Sequence, residues 1–453
     1  MFDLIIKNGS VVMPDGIKIC DIAVKDGVIA EISDNITQSA VQIINALGKT
    51  IMAGMIDTHF HASDPGGIRS DWEGYITGTK SLAKGGITSF IDMPLNNLPA
   101  TVDCETLAIK RKNAQEKCYV DFGFFGGVVP GNHEELGKMQ KDGAIAFKAF
   151  LATCGDRSIP DDFCNVDDFD LYMAMSEIAK ADGLMCVHAE NASVTDRLGA
   201  KMKSEGKSDM MSYVNSRPKW TETEAVMRAI IIAQNTGCRL HIMHVSNPDT
   251  IKAIETANSL GSHVTFESCP HYLVFSHDDF EKYGTALKCS PPIRSAEDKE
   301  KMWNLLFEGR IPVLSSDHSP CPFKMKDYDN AFDAWGGISG AQNSLDLMYS
   351  EAVVKRGMDP HKLSKILSEN PAAIYGIKNK GKICEGYDAD LVILNDKKHY
   401  VLTDDMLMYQ NKFSPYCGMK IECTVEKTLV RGTVVYDSEL GICGDPSGKE
   451  ISK

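Results

Sequence analysis

Apolar runs alternate with helix-like stretches through the middle of the chain. The runs are short and bounded by Gly, Pro, Asp or Asn, which is typical of buried strands. Between them lie segments with apolar residues at helical spacing, such as 221–237 and 296–309. Eight strand–helix units in succession predict an α/β fold, a (β/α)8 TIM-like barrel. The predicted strands are 56–62, 88–93, 120–127, 144–150, 184–190, 239–246, 264–270 and 312–320.

The hydrophobic pattern at both ends of the chain differs from that of the middle, because short Ile- and Val-rich runs are separated there by polar turns. We therefore predict a small β-sandwich domain formed by residues 1–52 plus 383–453, and a barrel formed by residues 53–382. A doubly wound sheet is the rival architecture, and it usually carries a phosphate-binding loop. Residues 48–50 read Gly-Lys-Thr, but Ile43 stands where the first glycine of such a loop belongs.

Composition and charge narrow the function classes. The chain has 453 residues, of which 43% are hydrophobic and 24% charged, so a full globular core is expected. The net charge of −14 disfavours nucleic acid and anionic membranes as partners. The 14 cysteines include no C-x-x-C pair, which predicts reduced thiols and a cytoplasmic location. No apolar run reaches the roughly 18 residues that a membrane span needs.

Metal-capable side chains stand where the predicted barrel strands end, which is where barrel active sites lie. His59 and His61 are two apart in one strand, so they share a face and can chelate one metal, although a chance pair of buried histidines is the alternative. His188, His244 and Asp317 end three further strands. Two other histidines are not expected to bind a metal. His241 is expected to be structural, and His318 to orient a ligand rather than to be one.

Lys148 lies inside the fourth predicted strand. A buried lysine is costly unless it is paired or chemically altered, and the alternative is a lysine that reaches solvent from an edge. A carbamate formed with carbon dioxide would offer two oxygens and one negative charge. Such a group could bridge two divalent metals about 3.5 to 4 Å apart.

Taken together, these segments resemble the cyclic amidohydrolases of the amidohydrolase superfamily, and within them the allantoinases. The resemblance covers essentially the whole chain. It implies His59 and His61 on one metal, His188 and His244 on the other, carboxylated Lys148 as the bridge, and Asp317 as ligand and general acid/base. It also implies two divalent ions per subunit, with zinc as the default, and a homotetramer. The segments that carry it are 54–61, 72–75, 93–102, 147–156, 187–191, 267–272, 288–294 and 316–321.

The same motifs separate the subfamilies. Dihydroorotases carry an arginine where this chain has Ser63, although Arg69 lies nearby as a conceivable stand-in. Hydantoinases and dihydropyrimidinases carry a tyrosine at the position of Thr153. The loop 64–69 departs from the pattern expected for allantoinases. Relatives that have lost catalysis usually lack metal ligands, whereas all the ligand positions are filled here.

The resemblance therefore implies a small cyclic ureide as substrate, with hydrolysis of allantoin to allantoate. A hydantoinase or dihydropyrimidinase is the alternative, and a catalytically silent assembly protein is a third reading. Candidate substrate contacts are Ser290, Thr153 and Gly336, with weaker grounds for Asn96 and Asn97. Ser290 could equally be a turn residue, and Gly336 could simply turn the chain.

Overall fold

A computed structural model describes residues 1–451. The chain opens with β-structure, as its Ile- and Val-rich runs predict. Its first strands are β1 (Phe2–Met13), β2 (Gly16–Lys25), β3 (Val28–Ser33), β4 (Ala40–Asn45) and β5 (Thr50–Ala53). β1 pairs antiparallel with β2 and parallel with both β4 and β5.

Seven parallel strands follow and form one curved sheet, in which each strand pairs with the next along the chain. Nearly every residue in them is buried, as expected for a parallel sheet covered on both faces. They are β6 (Met55–Phe60), β7 (Ile87–Asp92), β8 (Asp121–Gly127), β9 (Ala146–Phe150), β10 (Leu184–His188), β11 (Arg239–Ile242) and β12 (Val264–Phe266). All seven coincide with predicted strands.

The eighth predicted strand, 312–320, differs from the expectation because it is not a continuous strand. It closes the sheet through two isolated parallel bridges, Ser268 with Leu314 and Phe60 with His318. Between these bridges, Asp317 adopts a left-handed backbone with φ 45°, which interrupts a regular ladder. The barrel therefore closes, but its last position is an irregular segment that contains a candidate ligand.

Helices connect the strands and cover the outside of the barrel. Several begin at a side chain that accepts a backbone N–H, including Asp103, Asp167, Asn191 and Asn247. Each such cap contributes about 1 kcal/mol. The helices are α1 (Tyr75–Lys84), α2 (Cys104–Ala114), α3 (His133–Lys141), α4 (Asp168–Ala179), α5 (Ala192–Ser204), α6 (Met210–Asn215), α7 (Lys219–Thr236), α8 (Pro248–Ser259), α9 (Pro270–Val274), α10 (Phe280–Tyr283), α11 (Ala296–Phe307), α12 (Ser344–Met348), α13 (Pro360–Ser364) and α14 (Asn370–Tyr375). No helix within residues 1–451 is long and apolar enough to cross a membrane.

The C-terminal strands return to the N-terminal sheet. β13 pairs with β5 on one side and β16 on the other, which joins the two ends of the chain into one nine-stranded sheet. Leu391 and Ile393 of β13 pack with Ile22 and Ile51 in a core of their own. The division of the chain at residues 52/53 and 382/383 stays a prediction. The strands are β13 (Leu391–Asn395), β14 (Tyr400–Val401), β15 (Lys420–Ile421), β16 (Thr424–Val430), β17 (Thr433–Asp437) and β18 (Gly441–Ile442).

Candidate metal centre

Five of the predicted ligand side chains meet at one end of the barrel. Nε2 of His59 lies 3.1 Å from Oδ1 of Asp317, and Nε2 of His61 lies 3.6 Å from the same oxygen. Nδ1 of His188 faces Nε2 of His244 at 3.0 Å. Ligand atoms of His59, His244 and Asp317 all lie within 4.8 Å of one another, so three strand ends converge on a single point.

The sixth predicted ligand, Lys148, is completely buried in β9. Its Nζ makes no hydrogen bond to any of residues 1–451 and lies 4.9 Å from the centre of the Phe150 ring. Burial lowers the pKa of this amine to about 8. A solvent-reaching lysine is thereby excluded, and a buried amine without a partner at a ligand cluster is the position that a bridging carbamate would need.

The protonation state of the cluster suits metal ligands. Burial lowers the pKa of His59 and His188, and it lowers the pKa of His61 and His244 strongly. Neutral imidazoles keep a lone pair for a metal ion. Burial raises the pKa of the Asp317 carboxyl, while His59 opposes that effect.

Two residues of the cluster have left-handed backbone angles. His244 and Asp317 both adopt left-handed backbone angles, with φ 38° and 45°. Such conformations are unusual outside glycine and gather at functional sites. Two cluster side chains held this way indicate that the surrounding structure fixes them for a purpose other than packing.

Two buried carboxylates orient the histidines, and sequence reasoning assigned a role to neither. Oε1 of Glu267 lies 2.7 Å from Nδ1 of His59, and its Oε2 accepts from Thr58 at 2.8 Å. Oε2 of Glu190 lies 2.9 Å from Nε2 of His188 and accepts from Arg217 at 2.5 Å. Contacts with Arg217 and His188 outweigh burial and lower the pKa of Glu190, and contacts with His241 and His59 do the same for Glu267. The signal available beforehand was an acidic residue directly after an apolar strand, and for Glu190 also its position two residues after the candidate ligand His188.

Other groups fix the irregular segment that carries Asp317. Oδ1 of Asp57 accepts the backbone N–H of Ser316 at 3.0 Å, and its Oδ2 accepts the hydroxyl of the same serine at 2.5 Å. The side chain of His318 points away from the cluster, with Nε2 3.3 Å from Oε2 of Glu73 and Nδ1 accepting the backbone N–H of Gly340, so it is not a ligand. Neither contact reaches a candidate ligand, and its orienting role stays a prediction.

Two further buried histidines lie near the cluster. His241 bonds to Thr265 and lies 3.5 Å from Glu267, which fits the predicted structural role. His271 is fully buried next to Asp317 and Cys269, and neither of its ring nitrogens has a partner among residues 1–451. Sequence reasoning missed His271.

A cavity of about 330 Å³ opens over the ligands. Thr153 and Ser290 line it, and so does Asn96. Gly336 does not line it but borders a neighbouring cavity, with Ser290 Oγ 3.6 Å from where a Cβ would stand. Asn97 is held by Thr101, Pro99 and Lys110, so it is a structural residue.

Arg69 also lines the cavity over the candidate ligands, which we call the catalytic cavity. Its guanidinium binds Asp162 through two contacts, at 2.8 and 2.5 Å. It is therefore already paired and is poorly placed to hold a substrate carboxylate, as the arginine of a dihydroorotase would.

The residues present fit a metal centre. Histidine nitrogens and a carboxylate are ligands that zinc and similar divalent ions accept. The amine of Lys148 and both ring nitrogens of the neighbouring His271 have no hydrogen-bond partner among residues 1–451. Buried polar atoms left without partners are costly, so their presence here favours a bound group that satisfies this region.

Comparisons with known proteins identify relatives that extend over the whole chain. The sequence model described as the amidohydrolase family matches residues 50–435. An allantoinase of Salmonella choleraesuis (strain SC-B67) is 46% identical over 452 residues, which covers 100% of this chain and 99% of that protein. Among solved structures, an L-hydantoinase (dihydropyrimidinase) from Arthrobacter aurescens superimposes with a TM-score of 0.96 and 36% identity, covering 100% of both chains. A D-hydantoinase superimposes with a TM-score of 0.89 and 28% identity, covering 99% of this chain and 98% of the other.

Proposed function

The chain belongs to the amidohydrolase family, and from that premise we propose that it is an allantoinase, which opens the ring of allantoin by hydrolysis to give allantoate. The observation that carries the proposal is the 46% identity to an allantoinase over the full length of both chains. Thr153, which stands in the catalytic cavity where hydantoinases carry a tyrosine, supports it. We also propose a cytoplasmic homotetramer that acts on small cyclic ureides, with no nucleic acid or membrane partner.

We propose that His59 and His61 hold one divalent ion and that His188 and His244 hold a second. Lys148, carboxylated on Nζ, would bridge them, and Asp317 would complete the set. Two bound metal ions, with zinc as the default, would lower the pKa of water from about 15.7 toward about 7 and polarise the ring carbonyl. Support comes from the converging histidines, their low pKa and the buried amine of Lys148 without a partner.

Asp317 has the role of moving the proton. Its Oδ1 lies within the cluster, 3.1 Å from Nε2 of His59, where a positioned carboxyl group can take and give a proton. Burial raises the pKa of this carboxyl. It would accept the proton of the attacking water and deliver it to the departing ring nitrogen. This delivery is needed because an amide anion is a poor leaving group.

The other residues of the site orient the histidine ligands and enclose the cavity. Glu267 and Glu190 hold the outer nitrogens of His59 and His188, which fixes the rings and keeps their inner nitrogens free. Phe150 stacks on His188 with ring centres 4.3 Å apart, and so limits water on that side. Ser290 lines the cavity and is our candidate for gripping the ring.

An assay panel tests the proposal. Purified protein, preincubated with divalent metal and bicarbonate, would be given allantoin, hydantoin, dihydrouracil and dihydroorotate. Turnover of allantoin with little of the others is the expected result. Turnover of hydantoin or dihydrouracil without allantoin would favour the alternative, which the similarity to hydantoinase structures supports. No turnover by the fully metallated protein would favour the catalytically silent reading.

A further inference from the structure

A second cavity, of about 410 Å³, adjoins the catalytic one. The two cavities share two lining residues, Arg217 and Ser290. We call the second cavity the annex. It lies between helices α5 and α6 and the segments around residues 288 and 332–336, and its remaining walls include Asp196, Lys203, Tyr213, Lys288, Phe332 and Gly336.

The border between the cavities is built from hydrogen bonds rather than from bulky side chains. The hydroxyl of Thr153, on the catalytic side, donates to Oδ2 of Asp196, on the annex side, at 2.7 Å. The hydroxyls of Tyr213 and Ser290 lie 2.5 Å apart. A Cβ added at Gly336 would stand 3.6 Å from Ser290 Oγ, so the glycine keeps side-chain atoms away from this part of the border.

The annex offers both hydrogen-bond donors and an acceptor. Lys288 is 6% exposed and donates to the carbonyls of Phe332 and Ala334, with no carboxylate in contact. Burial, helped by nearby cations, lowers the pKa of Lys288 to about 7. Lys203 reaches the annex across the ring of Phe332, and its Nζ donates to Oδ1 of Asp333 at 3.3 Å, which leaves two of its three N–H donors for a ligand. The carboxylate of Asp196 supplies the acceptor.

We propose that the annex binds the exocyclic ureido group of the substrate, while the ring lies over the metal ligands. This assignment rests on the proposed function, because allantoin carries that group and hydantoin does not. A ureido group is neutral and planar, and it offers one carbonyl acceptor and several N–H donors. Lys203 would donate to its carbonyl and Asp196 would accept from its N–H groups. A carboxylate or phosphate would meet the negative charge of Asp196, so a neutral group with both hydrogen-bonding polarities fits better.

Two variants test the annex without touching the metal ligands. Lys203→Met removes a donor from a half-exposed position on α5, and Lys201→Met is the matched control, since Lys201 lies on the same helix and pairs with Glu205. Gly336→Val places a side chain at the border between the cavities, at a position whose backbone is not left-handed. For each variant, kcat/KM for allantoin and the inhibition constant of hydantoin against allantoin turnover would be measured.

We expect Lys203→Met to lower kcat/KM for allantoin by about tenfold, close to the usual size for loss of a hydrogen bond to a charged group. Gly336→Val should also lower it, because the new side chain would narrow the border between the cavities. In Lys203→Met, hydantoin inhibition should change less than about twofold, and Lys201→Met should match the wild type.

Equal effects of Lys203→Met on both ligands, or no effect on either, would overturn the annex assignment. So would inhibition of the wild type by inorganic phosphate that Lys203→Met loses while its allantoin kinetics stay unchanged, because the annex would then be an anion site. Failure of the wild-type protein to open allantoin would instead reject the proposed function, and the ureido assignment with it.

Discussion

Glu267 is the buried group whose removal would test the metal centre most directly. It is 0% exposed and is not one of the six candidate ligands, and its Oε1 lies 2.7 Å from Nδ1, the outer nitrogen of His59. Replacing it with Gln keeps the size and leaves an oxygen for Thr58, but removes the negative charge beside the imidazole. His59 would then be less basic, and its ring would be held less firmly in the tautomer that frees Nε2.

The expected loss follows from how such carboxylate–histidine pairs behave. Removing the outer partner of a ligating histidine costs about 10–100-fold in metal affinity, which is about 1.4–2.7 kcal/mol. Metal content of Glu267→Gln would be measured after dialysis against a graded series of chelator concentrations, with kcat at saturating metal as a second readout. We expect weaker retention of metal and substantial recovery of activity when metal is in excess.

Glu222→Gln is the matched control. Glu222 is also a buried carboxylate, but it binds Ser246, Asn247 and Arg294 and touches no candidate ligand. Loss of charge there should lower the free energy of unfolding and leave the affinity for metal unchanged. Retention of metal by Glu267→Gln at the wild-type level would refute the view that Glu267 supports a metal-binding His59. An equal loss of metal from Glu222→Gln would refute it as well.

Three further changes have defined outcomes. Asp317→Asn should retain at least one metal ion and lose about a hundredfold or more in kcat, and near-normal turnover would contradict its acid/base role. Intact-mass measurement should show one carbon dioxide adduct per chain that is absent from Lys148→Met, and an unmodified Lys148 in active enzyme would rule out the bridge. The carboxyl of Asp346 has a pKa raised to about 7 by burial, against about 3.9 when unfolded, so the folded state binds more protons between these values and loses stability as the pH rises through that window. Asp346→Asn should therefore be more stable than the wild type at pH 8, by up to about 4 kcal/mol, and no more stable below about pH 4 in urea unfolding, whereas a less stable variant at pH 8 would contradict the sign.

Sequence patterns were sufficient for most of the barrel because parallel strands are buried on both faces and therefore read as apolar runs. Seven of the eight predicted strands form one sheet. The eighth was misjudged in form because Asp317 leaves the ladder through a left-handed backbone angle, which no hydrophobic pattern records. Hydrogen bonds from Ser316 to Asp57 hold this segment in place, and such pairings are invisible before the fold is known.

The sequence singled out five of the candidate ligands because each is a metal-capable residue at or near the end of an apolar run, and it singled out Lys148 as a lysine inside a buried strand. The groups that orient these ligands were harder to predict. A ligand can be proposed from its own position on a strand, whereas an orienting group is recognised only when the distance between two residues far apart in the sequence is known. Glu267 lies 208 residues from His59 along the chain. Arg217 lies on the loop after α6 and is recognisable only from its contact with Glu190.

The structure also separates the residues that would perform the chemistry from those that would choose the substrate. Five candidate ligands lie in or just after barrel strands, and Asp317 lies in the irregular segment that closes the barrel. This part of the fold is shared with hydantoinases that superimpose closely at 36% identity or less. The annex, in contrast, is built from α5, α6 and the segments around residues 288 and 332–336, none of which belongs to a barrel strand. A change in those segments could alter which ring substituent fits without moving a ligand. Similarity of the barrel therefore supports the reaction class, and the decision between allantoin and an unsubstituted hydantoin depends on side chains such as Lys203 and Asp196.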